Sequence, residues 1–266
     1  VNNNQKPLTD EQIQMVAPSV FAGQPYSDRS DRYTFVSTIE VVNGMRDAGF
    51  LPMSVQQSNT RVSGKENFTK HMIRFRSQTP LVNVGDMALE TVIINSHDGT
   101  SSYTGHCGLI RFACMNGLIV SDALINSFKV RHVGNIVEDI LKANAEMLAF
   151  APKAIEVVHT WKHIMLTLAE QVALAEAAHT LRFEEGSTLA QTFNPEALLT
   201  PHRYADNGSD LWSVFNRVQE NAVRGGKVRV GFKSRKIRSV SGIDESTKLN
   251  KALWTLAEKM AELKKS

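Results

Sequence analysis

Lys70-His71-Met72-Ile73-Arg74-Phe75-Arg76 alternates in chemical character at every step. Successive side chains of an extended strand point to opposite faces. Lys70, Met72, Arg74 and Arg76 therefore share one face, and His71, Ile73 and Phe75 share the other. The second face is core-like and the first is basic. The same period of two runs from Phe50 to about Arg131, with candidate strands at 51–61, 68–76, 87–95, 102–114, 118–120 and 128–132. Asp98-Gly99 and Asn116-Gly117 each carry the glycine that a tight hairpin turn needs at positive φ. The pattern predicts an antiparallel β-meander of four to six strands.

On either side the period returns to 3.6. Thr9 and Gln12 are spaced as a capping box ahead of a short helix that Pro18 ends. Ser37 and Glu40 form a second box, opening a helix through Val42 and Met45 that Gly49 stops. Beyond Asn135 an apolar stripe continues to about Leu181, which Pro152 should kink or split. A further helix spans 210–222 and ends at Gly225-Gly226, and a last one starts at Asp244 or Ser246. The fold class expected is α+β, with a sheet in residues 1–134 and a mainly helical region in 135–266, packed as one unit.

The 266 residues are 42% apolar, enough for a sizeable core. No apolar run approaches the roughly 20 residues of a membrane helix. The first residues, Val1 to Lys6, lack the apolar segment of a secretion signal. Two cysteines do not make a disulfide framework.

Charge is unevenly placed. Residues 1–134 carry 12 basic and 11 acidic side chains, 135–223 carry 6 and 12, and 224–266 carry 12 and 4. Arg224, Lys227, Arg229, Lys233, Arg235, Lys236 and Arg238 fall within 15 residues that hold no acid. Such a run is either a solvated, protected edge strand or a footprint for phosphate. The acidic stretch before it offers a docking surface for a neighbouring subunit's basic tail.

Candidates for chemistry are sparse. Glu156, His159 and His163 fall on one face of a helix, but the zinc-protease pattern needs a Glu where Thr160 stands. Cys107 and Cys114 sit among apolar neighbours as buried thiols do. His97 beside Asp98, with Glu90, would serve an enzyme acting on nucleic acid, or is plain turn chemistry. There is no P-loop and no G-x-G-x-x-G. Neither catalytic residues nor a metal or cofactor are expected.

Three blocks of sequence resemble a family known from phages and plasmids that carries a conserved domain of unknown function. The first is Asn95-Ser96-His97-Asp98-Gly99, Leu109-Ile110-Arg111-Phe112-Ala113-Cys114-Met115-Asn116-Gly117-Leu118 and Arg131-His132-Val133-Gly134. The second is Leu211-Trp212-Ser213-Val214-Phe215-Asn216-Arg217-Val218-Gln219-Glu220-Asn221 with Gly225-Gly226. The third is Arg235 to Arg238 with Leu249-Asn250-Lys251-Ala252-Leu253-Trp254. The resemblance covers about residues 35–258 and implies a mobile-element protein in the bacterial host cytoplasm. By analogy, the order of elements is also similar to phage single-strand annealing proteins, which assemble as rings or filaments along one DNA strand.

The function expected is therefore non-enzymatic binding and annealing of single-stranded DNA, as a homo-oligomer, in recombination or replication. Lys70, Arg74 and Arg76 would line one wall, Tyr103 would stack on a base, and the seven cations from Arg224 to Arg238 would meet phosphates. The alternative is an interaction protein that blocks a host defence system by binding a host protein.

Overall fold

In the computed structural model, which describes residues 6–26, 34–79, 87–112 and 116–265, Thr9 caps α1 (Asp10–Val16). Its hydroxyl accepts from Gln12 N, and the Gln12 side chain accepts from Thr9 N, as the spacing predicts. Pro18 then opens a 3-10 turn, Pro18–Phe21. α2 (Thr38–Asp47) ends at Gly49, whose φ of 84° turns the chain into the sheet. The box expected at Ser37 does not form. Its hydroxyl donates to the Val20 carbonyl at 3.3 Å instead, which fastens the helix start to the 3-10 turn.

Six strands come next among the described residues: β1 (Phe50–Gln57), β2 (His71–Ser77), β3 (Met87–Asn95), β4 (Tyr103–Arg111), β5 (Asn116–Ile119) and β6 (Phe128–Val130). All pair antiparallel, in the order β1-β2-β3-β4-β5, and β6 also joins β4. β5 takes the end of β4 at 108–111, and β6 takes 103–105. Pro52 is tolerated because β1 is an edge strand, and the register shifts between Pro52 and Ser54. Gly99, at φ 78°, makes the turn between β3 and β4 that Asp98-Gly99 predicts. Asn116-Gly117 is not a turn: both residues lie in β5, paired with Arg111 and Ile110. Cys114 lies outside the described residues.

α3 (Ile136–Ala149) is capped by Asn135, whose side chain accepts from Glu138 N. α1, α2 and α3 cover one face of the sheet, and Ile13, Val42, Met45, Ile73, Phe75, Ile93 and Ile140 form the shared core. Gly44 lets α2 and α3 approach: a Cβ there would meet Val137 Cγ1 at 2.6 Å. The face bearing Arg74 and Arg76 is buried as well. The chain thus forms one compact unit over Val1–Pro152 and a second over Lys153–Ser266. The division falls at Pro152 and not at residue 134 because α3 packs on β4, β6 and α2.

α4 (Ala151–Trp161) begins at that border, so of the two effects open to Pro152, a kink or a split, the helix is split. The second unit continues with α5 (Leu168–Arg182), α6 (Thr188–Thr192), α7 (Leu211–Gln219), β7 (Gly226–Val230), β8 (Lys233–Ile237) and α8 (Ile243–Leu263). The stretch 186–209, which reads as loop, holds α6 and two 3-10 turns, Pro195–Leu199 and Tyr204–Asp206. The core is aromatic. Trp161 packs 4.8 Å from Trp254 and 5.3 Å from Phe215, with Trp212 beside them. Gln219 of α7 donates to Asn250 of α8 at 2.7 Å, and Asn250 and Asn216 donate to the Ser246 and Trp212 carbonyls of their own helices, so these amides are held within the packing. The architecture is α+β, with an antiparallel sheet in the N-terminal half and a mainly helical C-terminal half. No helix of the described residues is long and apolar enough to cross a membrane.

Candidate nucleic-acid interface

Asp210 starts α7 by accepting from Ser213 N at 3.0 Å. After the nine residues of α7 the helix widens into a π turn, Glu220–Arg224, closed by the bond from Gly225 N to the Glu220 carbonyl. π turns of this kind often mark functional positions. Asn221 holds it in place. Its amide donates to the Leu198 and Thr200 carbonyls at 3.0 and 2.9 Å, so its oxygen is the acceptor that faces His202. His202 must then carry its proton on Nε2, 2.7 Å away. Arg203 pairs with Glu220 and with Asp206. Gly225, at φ 69°, has the Ile237 carbonyl where a Cβ would project, so only glycine fits where the helix turns into β7.

β7 and β8 form a two-stranded antiparallel hairpin, with Gly226 opposite Ile237 and Val230 opposite Lys233. Gly231, at φ 59°, and Phe232 make the two-residue loop. The base of the hairpin is clamped. Arg182 donates to the Ala222 carbonyl at 2.7 Å and to the Arg238 carbonyl at 3.0 Å, and Arg229 N donates to Thr200 Oγ1. Val228 and Ile237 point inward and are buried. On the opposite face lie Lys227, Arg229 and, directly across from Lys227, Lys236. All seven cations from Arg224 to Arg238 are exposed, and Phe232 is fully exposed at the tip. The acid-free run that the sequence offers as an edge strand or a phosphate footprint is thus a hairpin.

The other expected wall does not face solvent as a basic surface. Arg74 and Arg76 are buried and converge on one carboxylate, Glu90 of β3, at 3.2 and 2.8 Å. Arg74 also donates to the Leu118 carbonyl and lies across Gly117, where a Cβ would sit 2.6 Å from its Cζ. The Arg76 guanidinium stands over the Phe112 ring. The alternation of one strand cannot reveal a carboxylate on the next, nor a cover over the second face. Lys70 is half-buried beside β2, and its carbonyl accepts from Ser58 N. Tyr103 is sealed inside and donates to the Val36 carbonyl, so it presents no ring to a base.

Tyr103 belongs instead to a buried polar network that the sequence pattern does not reveal. Four groups approach the Thr38 hydroxyl within 2.9–3.2 Å: His71 Nε2, His97 Nε2, the Tyr103 hydroxyl and Asn95 Nδ2. His71 Nδ1 stands 3.2 Å from the Thr69 carbonyl, which can only accept, so that nitrogen bears the proton. Thr38 therefore donates to His71 and accepts from Asn95 and His97. His132 Nε2 donates to the Asn95 oxygen at 3.2 Å, and Ser19 Oγ lies 2.8 Å from His71 Nδ1. Burial, aided by His97, pushes His71 down to about 3. Burial, aided by His132, pushes His97 down to about 4. Both are neutral at physiological pH. Asp98, which burial alone would raise, is brought down to about 2 by Thr100 and Lys65.

The residues suggested for catalysis are thus not brought together. Glu90 is held by two arginines on one face of the sheet, and His97 is locked onto Thr38 on the other. Burial raises the Cys107 thiol to about 12. His163 Nδ1 bonds the His159 carbonyl at 2.7 Å, and among the described residues no three His, Cys, Asp or Glu gather as a metal site.

Sequence comparison accords with the resemblance seen in the motifs. Two proteins of Escherichia coli (strain K12) are similar along nearly their whole length. UPF0380 protein YafZ is 36% identical and UPF0380 protein YfjQ 35% identical over 255 residues, 95% of this chain and 91% of each relative. No solved structure matches. The domain of unknown function DUF932 matches residues 25–254, and the chain belongs to that family.

Proposed function

We propose that this protein binds single-stranded DNA through the β7–β8 hairpin, without catalysis and as a homo-oligomer, in the recombination or replication of a phage or plasmid. The observation that carries the reading is a two-stranded hairpin whose cations are all exposed and whose tip is a bare aromatic ring. Lysines and arginines release counterions from phosphates and supply affinity that does not depend on sequence. An exposed ring at the tip favours a single strand, because an unpaired base can stack on it without the cost of opening a duplex. Phe232 takes the stacking role that Tyr103, being buried, cannot.

The test is fluorescence anisotropy with a labelled single-stranded oligonucleotide across a range of salt, with duplex as the control. Affinity falls steeply with salt and favours the single strand. Replacing Lys227, Arg229 and Lys236 together by Gln lowers the logarithmic salt slope by about 2, since each phosphate contact on a single strand contributes about 0.7. Mass measurement with and without the strand reads the oligomer. Absence of binding at low salt, with stable capture of a host protein from nuclease-treated lysate, turns the reading to an inhibitor of host defence.

A further inference from the structure

A cavity of about 440 Å3 lies beside the hairpin, between its outer strand edge and the 3-10 turn Pro195–Leu199. Arg229 and Gly231 form one wall, and Glu196, Leu199 and Pro201 the other. The volume is several times that of a base, and the lining combines apolar surface at Leu199 and Pro201 with the polar groups of Asn194, Glu196, Thr200 and Arg229. Glu196 is not a loose carboxylate. Asn194 Nδ2 donates to its Oε2 at 2.7 Å, which fixes the orientation of the group and leaves Oε1 and the second lone pair of Oε2 to accept. Thr200 Oγ1 accepts from Arg229 N, and the carboxylate at this rim is Glu196.

We infer that this cavity takes one unstacked base of the bound strand and reads guanine through Glu196. The inference rests on the single-strand reading above. A carboxylate accepts only. Guanine alone among the DNA bases presents two adjacent donors, N1–H and the 2-amino group, on its Watson–Crick edge. Cytosine and adenine offer one amino group next to a lone pair, and thymine flanks its single N–H with two carbonyls. Each of these sets an acceptor against Glu196. Arg229, on the facing wall, is placed for the phosphate of the same nucleotide, so charge attraction and base choice act at one position.

The full-length protein is titrated against fluorescent nonamers of thymidine whose central residue is dT, dG or deoxyinosine, which lacks the 2-amino group. The expected order is dG tightest, by about tenfold over dT, with deoxyinosine between them, the range that a bidentate base contact supplies. Glu196→Gln, at an exposed position, is expected to bring all three to the dT value. Equal binding of the three by the unmodified protein overturns the guanine pocket and leaves single-strand binding standing. A dG preference that survives Glu196→Gln overturns the role of Glu196. Failure of every nonamer to bind overturns both readings together.

Discussion

Thr38 is where the first unit is most sensitive to a single atom. Its hydroxyl is the meeting point of Asn95, His71 and His97, none of which has access to water. Thr38→Val keeps the shape and removes the oxygen, leaving two donors and one acceptor buried without a partner. At about 1–3 kcal/mol for a stranded buried group, the loss is expected to be about 3 kcal/mol in urea unfolding at pH 7. A change under about 0.5 kcal/mol would refute this wiring. The same residues set an acid limit. His71 and His97 titrate lower when folded than when unfolded, so between pH 6.5 and about 4 the unfolded chain binds more protons. Their contribution is complete above about pH 6.5 and is lost as the pH falls through that window. Stability is expected to drop by up to about 1.4 kcal/mol per pH unit for each histidine, above the range where ordinary carboxylates take part. Asp98 acts lower, its contribution present above about pH 3.8 and lost toward pH 2. Urea midpoints at pH 7, 6 and 5 read the histidine effect.

At the scale of the element, the sheet was legible and the cover on its faces was not. β3 matches its expected bounds at both ends, because a run rich in apolar and β-branched residues ends at a turn signal. β1 stops at Gln57, short of residue 61: its register with β2 ends at Gln57 opposite His71, and one further bond, from Ser58 N to the Lys70 carbonyl, closes the pairing. The basic face of β2 misleads because its counter-charge, Glu90, lies on another strand, 14 residues from Arg76. Glu90→Gln leaves two buried guanidinium groups without a carboxylate and is expected to cost about 3–5 kcal/mol, measured by denaturant unfolding. The hairpin cations were legible because they cluster in sequence. Phe232 and Glu196 were not: one is a single ring among charges, and the other joins the hairpin only through the fold. Gly225→Ala tests how that junction is built. At φ 69° and against the Ile237 carbonyl, a methyl group is both strained and crowded, and a loss of about 2–3 kcal/mol is expected, with faster hydrogen exchange across β7 and β8. Unchanged exchange there would show that the hairpin does not depend on this glycine.

Across the whole molecule, the division into Val1–Pro152 and Lys153–Ser266 separates the buried histidines from the exposed cations. Each unit has its own core, one aliphatic on a sheet and one built on Trp161, Trp212, Phe215 and Trp254. Residues 151–266, which hold the hairpin and the cavity together, are therefore expected to melt cooperatively alone and to keep the salt slope of the full chain. Thermal circular dichroism and the anisotropy titration check this, and a fragment that folds but does not bind would shift part of the interface to the first unit. The π turn at Glu220–Arg224 carries a consequence for how this chain tolerates change in length. Such a turn is an α-helix holding one residue too many. Loss of the Asn221 codon would let the backbone close into an ordinary helical turn with little rotation of the chain beyond it, but would remove the amide that bonds the Leu198 and Thr200 carbonyls. The helix would be more regular, yet the strand that follows would lose its tether, so the extra residue serves the anchorage of the hairpin and not the regularity of the helix.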